Sequence, residues 1–226
     1  MHLANCVISF TFDDFPRSAW HTGGAILRSR GLSGTYYASF GMMGTIGPTG
    51  ELFGADDAAA LVEEGHELGC HTFAHCDAWR TDTAVFERSV VRNLGALREH
   101  VGHARFRSLS YPVSPPRPGT KRAMAEHFEC CRGGGQTFNV GTADRAYLAA
   151  FFLEQSRETP DAVKRVIDRS VEQKGWLIFA THDVCARPTP YGCTPSFFEE
   201  IVRYSVEAGA RILPVVRAFR ALTADG

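Results

Sequence analysis

No run of apolar residues approaches the ~20 needed to cross a bilayer, so neither a membrane-spanning helix nor a membrane partner is expected. Charge of one sign is not in excess either: 24 Lys+Arg stand against 25 Asp+Glu, for a net charge of -1. Scattered basic residues in a near-neutral chain do not generate the field that phosphate binding requires, and no nucleic-acid partner is expected. The seven cysteines include no C-x-x-C pair and are odd in number, which argues against a disulfide framework or a zinc ribbon and for reduced core thiols. Residues 1–10 lack the basic flank, long apolar centre and small-residue cleavage site of a secretory leader; taken as the natural start, they imply a cytoplasmic protein.

What is present is an ordinary globular balance of 44% hydrophobic and 22% charged residues over 226 positions, without a composition break or repeat. That length suits one domain spanning 1–226. Short apolar runs alternate with segments of helical period throughout. Strands are expected at 6–11, 34–39, 66–72, 108–111, 176–180 and 211–215, with weaker candidates at 128–131 and 150–153. Helices are expected at 20–30, 56–64, 81–101, 160–173 and 195–208, followed by a closing helix; Pro160 and the acidic start with closing Gly65 mark two of their ends. Strict alternation of strand and helix gives an α/β fold of about seven units, as an open doubly wound sheet or a barrel; periodicity alone leaves both open. Either form places chemistry on the loops leaving the carboxyl ends of the strands.

Three polar clusters stand at such ends. Thr11-Phe12-Asp13-Asp14 follows the first strand. Adjacent carboxylates repel unless a cation holds one of them, and they converge only if the chain turns, which Phe15-Pro16 allows; an N-cap aspartate is the alternative. His71-Thr72-Phe73-Ala74-His75 follows the third strand, and histidines four apart on one helical turn reach a single divalent ion. Thr181-His182-Asp183 follows the run 176–180, where a histidine suits general acid or base work and a cap is the alternative. The remaining histidines, at 2, 21, 66, 100, 103 and 127, are assigned to surface or packing. One Asp and two His leave open positions on an ion, as in catalytic zinc sites, and the same set occurs in non-haem iron oxygenases, so the ligands alone do not fix the reaction.

In this order, Thr-Phe-Asp-Asp, His-Thr-x-x-His and His-Asp resemble the polysaccharide deacetylase family, also called the NodB homology domain or carbohydrate esterase family 4, over almost the whole chain. The resemblance implies a distorted (β/α) barrel with about seven parallel strands. It implies Asp13 as the base that takes a proton from water, Asp14, His71 and His75 as holders of a divalent metal, usually zinc with cobalt, nickel or manganese as alternatives, and His182 as the acid that protonates the leaving amine. The substrate would be an N-acetylated sugar or oligosaccharide.

Three departures accompany it. The family's Arg-x-Pro-x-Gly corresponds to Ser110-Tyr111-Pro112-Val113-Ser114, so the Val113 N–H is the candidate oxyanion donor and the arginine beside the base is missing. Arg132, before Gly133-Gly134-Gly135, is the candidate substitute, a surface arginine being the alternative. The Asp-and-Trp motif has no clear match at 149–156, where Glu154 is the one acidic candidate, and Phe179, Ala180 and Thr181 stand where leucines usually enclose the acetyl group. Tyr36, Trp79, Tyr111 and Tyr191 are candidate sugar-stacking rings or core residues, and the proline-rich 187–195 is a candidate cleft wall or a plain connection. The competing readings are a hydrolase of a small amide or imide, or a catalytically silent carbohydrate binder. Oligomeric state is not readable.

Overall fold

A computed structural model describes residues 6–224; His2 and the first half of the amino-terminal segment lie outside the described residues. Among the described residues there are ten strands: β1 (Val7–Phe12), β2 (Thr35–Ala38), β3 (Ile46–Gly47), β4 (Gly50–Glu51), β5 (Glu67–Cys70), β6 (Ser108–Ser110), β7 (Cys130–Arg132), β8 (Phe151–Phe152), β9 (Trp176–Thr181) and β10 (Arg211–Ile212). The α-helices are α1 (Ala25–Arg28), α2 (Ala55–Glu63), α3 (Thr83–His100), α4 (Pro118–His127), α5 (Pro160–Glu172), α6 (Pro195–Glu207) and α7 (Val215–Ala224). Seven strands follow the order β7-β6-β5-β2-β1-β9-β8, and β10 pairs with the start of β1, all in parallel register.

This sheet curls on itself. Residues 145–148 exchange main-chain hydrogen bonds with β7 (Cys131 N–H to Arg145 O, Leu148 N–H to Cys131 O, both 2.8 Å), and the same segment continues into β8, which pairs with β9. Of the two architectures compatible with the strand–helix alternation, the distorted barrel is the one adopted. Side chains alternate as strand geometry requires. Ile8, Phe10 and Phe12 of β1 pack outward with the helices, whereas Val7 turns inward with Trp176, Ile178 and Ala180 of β9. Phe10 is fully buried between Phe179 and Phe198, at centroid distances of 5.5 Å from each.

The interior is apolar beside β9 and polar on the opposite side. At the amino-terminal end of the strands the Glu67 carboxyl accepts from Ser108 (2.5 Å), Thr35 (3.2 Å) and the Val216 N–H (2.8 Å), which caps the start of α7. At the opposite, carboxyl end of the strands stand Arg132 and Asp13.

Several expectations need revision. The helix expected at 20–30 begins as a π-helical turn, Ala19–Gly24, before α1, and Gly24 packs so closely on Trp20 and the Tyr36 hydroxyl that a Cβ there would approach within 3 Å. The last strand stops at Ile212, since α7 starts at Val215, its first N–H groups capped by Thr35 and Glu67. Helix α4 and the β3–β4 hairpin are additional; Pro118 at the first helical position of α4 was its available signal.

Phe10→Ala is expected to cost about 3–5 kcal/mol, from lost burial plus the cavity left between two packed rings, measured by urea denaturation.

Candidate active site

The site is assembled where β1, β5, β6, β7 and β9 end. After β1 the chain turns through left-handed backbone at both Asp14 (φ 61°) and Phe15 (φ 51°), a conformation costly for non-glycine residues. Phe15 holds it: its ring lies flat on Phe53 at 4.6 Å and its carbonyl accepts the Phe53 N–H at 3.1 Å. The turn lets two neighbouring side chains that a straight strand would send to opposite faces both line one cavity.

The helical turn expected at residues 71–75 is not formed. Thr72 (φ 59°) and His75 (φ 49°) are left-handed, Thr72 Oγ1 accepts the Cys76 N–H at 2.9 Å, and Ser89 Oγ accepts from Phe73 and Ala74. These bonds fold a loop that still brings the two imidazoles to 5.0 Å between centroids. His71 Nε2 lies 3.6 Å and His75 Nε2 3.1 Å from Asp14 Oδ1, and the three ligand atoms lie within 4.8 Å of one another. His71 Nδ1 is 2.8 Å from the Ser110 carbonyl, which only accepts, so Nδ1 carries the proton and Nε2 presents its lone pair inward. Thr49, in the β3–β4 turn, donates to Asp14 Oδ2 at 3.2 Å.

Asp14 Oδ1 is buried and has no hydrogen-bond partner. An orphaned carboxylate oxygen facing two imidazole nitrogens, one with its tautomer fixed by a main-chain carbonyl, fits a divalent cation of the zinc type. Burial alone would raise the Asp14 carboxyl; the contact with His75 and the charges of the surrounding imidazoles reverse that and hold it low. His71 is pushed down to about 4, chiefly by burial. His75 moves the other way, the Asp14 carboxylate outweighing burial.

Asp13 has a different partner. Arg132, at the end of β7 and 1% exposed, donates to Asp13 Oδ1, and its guanidinium lies 4.8 Å over the Tyr37 ring. Burial again works against ionisation of Asp13, but the charge and hydrogen bond of Arg132, with the nearby histidines, hold the carboxyl well below the usual range. Arg132 is therefore not a surface arginine. Ser110, at the position that lacks the arginine, is paired in register with Arg132 on the adjoining strand.

His182 Nδ1 lies 3.1 Å from the Tyr191 carbonyl, so it too carries its proton on Nδ1 and leaves Nε2 free. Asp183 turns away: it accepts the Thr189 N–H at 2.8 Å and the Thr189 hydroxyl at 2.5 Å, folding the loop that presents Tyr191. The Val113 N–H donates no hydrogen bond among the described residues, and Val113 is left-handed (φ 66°) and 71% exposed.

These groups line a cavity of about 680 Å³ whose walls include Tyr111, Tyr147, Phe152 and Tyr191. Of the proposed stacking rings, Tyr36 is sealed in the core against Phe12 and cannot reach it; Trp79 is exposed but is not part of the wall. Phe179, Ala180 and Thr181 are buried and do not line the cavity either. Sequence reasoning missed Thr49, Tyr147 and Phe152; the Gly133-Gly134-Gly135 run was the signal for the last two, since a Cβ at Gly133 would strike Tyr147 and one at Gly134 would press on Phe152.

The sequence profile of the family described as polysaccharide deacetylase matches residues 3–127. The chain belongs to the polysaccharide deacetylase family. No curated protein matches it. Among solved structures, a peptidoglycan N-acetylglucosamine deacetylase, Bc1960, is 13% identical with a TM-score of 0.66, covering 95% of this chain and 88% of that one. A family 4 carbohydrate esterase from Streptomyces lividans, bound to acetate, is 16% identical with a TM-score of 0.62 and 93% coverage of both chains. BA3943 of Bacillus anthracis, described as a CE4 family pseudoenzyme, is 11% identical with a TM-score of 0.65; this deacetylase-family chain, 96% covered, spans 66% of its length. These likenesses establish the curled barrel shared by the family. No helix among the described residues is long and apolar enough to cross a membrane.

Arg132→Met is expected to lose about 3–5 kcal/mol near pH 7, because it leaves the buried Asp13 charge unpaired, with the loss shrinking as acid protonates Asp13; denaturation at several pH values measures it.

Proposed function

We propose that this chain is a metal-dependent hydrolase that removes N-acetyl groups from an amino-sugar oligo- or polysaccharide, with residues 1–226 as a single catalytic domain. The observation that carries the reading is the juxtaposition, in one cavity, of the Asp14–His71–His75 cluster with an ionised Asp13 held by Arg132. A pseudoenzyme among proteins of similar fold makes the side chains, rather than the fold, the ground for proposing turnover.

Asp14, His71 and His75 hold the metal, for which zinc is the assignment their donor set favours. A bound divalent ion acidifies water and polarises the amide carbonyl. Asp13 receives the proton of the attacking water. Its depressed pKa keeps it ionised at every pH near neutrality and makes it a weak base, matched only to an acidified donor. Arg132 is a positioning residue: it fixes the Asp13 carboxylate and keeps it charged. The unengaged N–H of Val113 donates to the carbonyl oxygen as negative charge develops there. His182 acts in its doubly protonated, imidazolium form: Nδ1–H stays bound to Tyr191 O while the Nε2 proton passes to the departing nitrogen, leaving neutral imidazole, acetate and a free amine.

A second reading is favoured by the cavity itself. Aromatic walls and the retreat of residues 179–181 from the surface suit a compact amide or imide as well as a sugar. Release of acetate from a chitooligosaccharide, compared with ammonia or carboxylate release from cyclic amides, separates the two; sugar binding without release of either would instead favour a silent binder.

Asp13→Asn is expected to retain zinc while kcat falls by roughly 10²–10⁴-fold, and wild-type turnover in that variant would overturn the base assignment. Chelation is expected to abolish acetate release and added zinc to restore it, followed by a colorimetric acetate assay.

A further inference from the structure

Building on the deacetylase reading, we propose that Glu154 is a substrate-binding residue whose carboxyl group hydrogen-bonds an uncharged oxygen of the sugar beside the scissile amide. Glu154 lies in the 3-10 turn Leu153–Ser156 directly after β8. Phe152 of β8 is paired with Ala180 of β9, so two residues farther along each strand Glu154 and His182 stand on the same rim, and both line the cavity. They make no hydrogen bond to each other. Of the polar groups around it, Asp13 is held by Arg132, His71 by Ser110 O and His182 by Tyr191 O, while Asp14 accepts from Thr49 on Oδ2 and turns its unpartnered Oδ1 to the two imidazoles. Glu154 Oε2 is buried with no partner.

The charged groups around Glu154 do not pair with it. Arg132, from β7, is committed to Asp13. Arg157, from the end of the same turn, donates to the carbonyls of Thr189 and Gly192. The Asp13 carboxylate, just after β1, repels a second negative charge, and the neighbouring Cys193 thiol is buried and raised to about 12, hence neutral. Burial and Asp13 together push Glu154 up to about 8. At neutral pH it therefore offers a hydroxyl donor and a carbonyl acceptor together, the pattern that matches a sugar hydroxyl. An unpaired buried polar group is destabilising, and a ligand oxygen within the cavity relieves that cost.

Two readouts test this. Binding of a chitooligosaccharide by calorimetry to zinc-loaded Asp13→Asn protein reads affinity without turnover: adding Glu154→Ala is expected to weaken Kd about tenfold, one ordinary hydrogen bond, and adding Glu154→Gln, which keeps a donor and an acceptor, to stay within about threefold of the parent. Equal affinity with Glu154→Ala, or a Gln variant as weak as Ala, overturns the proposal and leaves the deacetylase reading intact, whereas no sugar binding by the parent overturns that reading itself. The second readout needs no ligand. A carboxyl at about 8 in the folded protein, against 4.5 ordinarily, destabilises the wild type progressively as pH rises between those values. The Tm of Glu154→Gln should accordingly gain on wild type across that window and hold its lead above it; a difference independent of pH would show Glu154 ionised and overturn the donor role.

Discussion

Two neighbouring carboxylates, Asp13 and Asp14, are buried together at the end of β1, and the rest of the site is arranged around that repulsion. Each is 5–6% exposed, so water does little to separate their charges. The left-handed turn that brings both into the cavity adds backbone strain to electrostatic strain. The structure treats the two differently: Asp13 has a guanidinium as its counter-charge, whereas Asp14 faces two imidazoles, of which His71 is kept neutral by burial and turns a lone pair inward. The first arrangement is complete within the chain. The second leaves an oxygen of Asp14 without a hydrogen bond, which is the vacancy in the polar accounting that a cation fits.

The barrel makes this affordable by dividing its interior. One wall, built on Trp176, Ile178 and Ala180, is apolar, while the other carries Thr35, Tyr37, Glu67, Ser108, Ser110 and Arg132. Glu67 satisfies the end remote from the site and ties α7 to it. Arg132 fills the space beside the small Ser110, its registered neighbour, and reaches Asp13 from one strand farther round than the family's pattern would place an arginine. The charge beside Asp13 is thus kept while its position in the chain has changed, which a motif comparison alone would score as a loss.

The parts legible in the sequence were those written in side chains at strand ends. Long apolar runs marked β1 and β9, a carboxylate pair and a histidine pair marked the cluster, and an arginine before three glycines marked the partner of Asp13. What stayed hidden was carried by the main chain or by short elements. The carbonyls of Ser110 and Tyr191 set the tautomers of His71 and His182, and any residue type supplies a carbonyl. The hairpin that delivers Thr49 has strands of two residues, too short for a period to show. The 71–75 loop has helical spacing without helical hydrogen bonds because Thr72 and Ser89 capture the N–H groups a helix would use. Asp183, beside His182 in sequence, proved to be a fastener of its loop.

Family membership and fold place the cavity, but a fold shared with a protein described as a pseudoenzyme does not by itself confer chemistry. The central claim is that Asp14, His71 and His75 enclose one ion next to an ionised Asp13. X-ray absorption at the zinc edge, on protein loaded with one equivalent of zinc, tests it most directly. The account predicts a first shell of two imidazole nitrogens and a carboxylate oxygen at about 2.0–2.2 Å, completed by light-atom ligands. A shell containing sulfur, or lacking the imidazole signature, would place the ion elsewhere and contradict it.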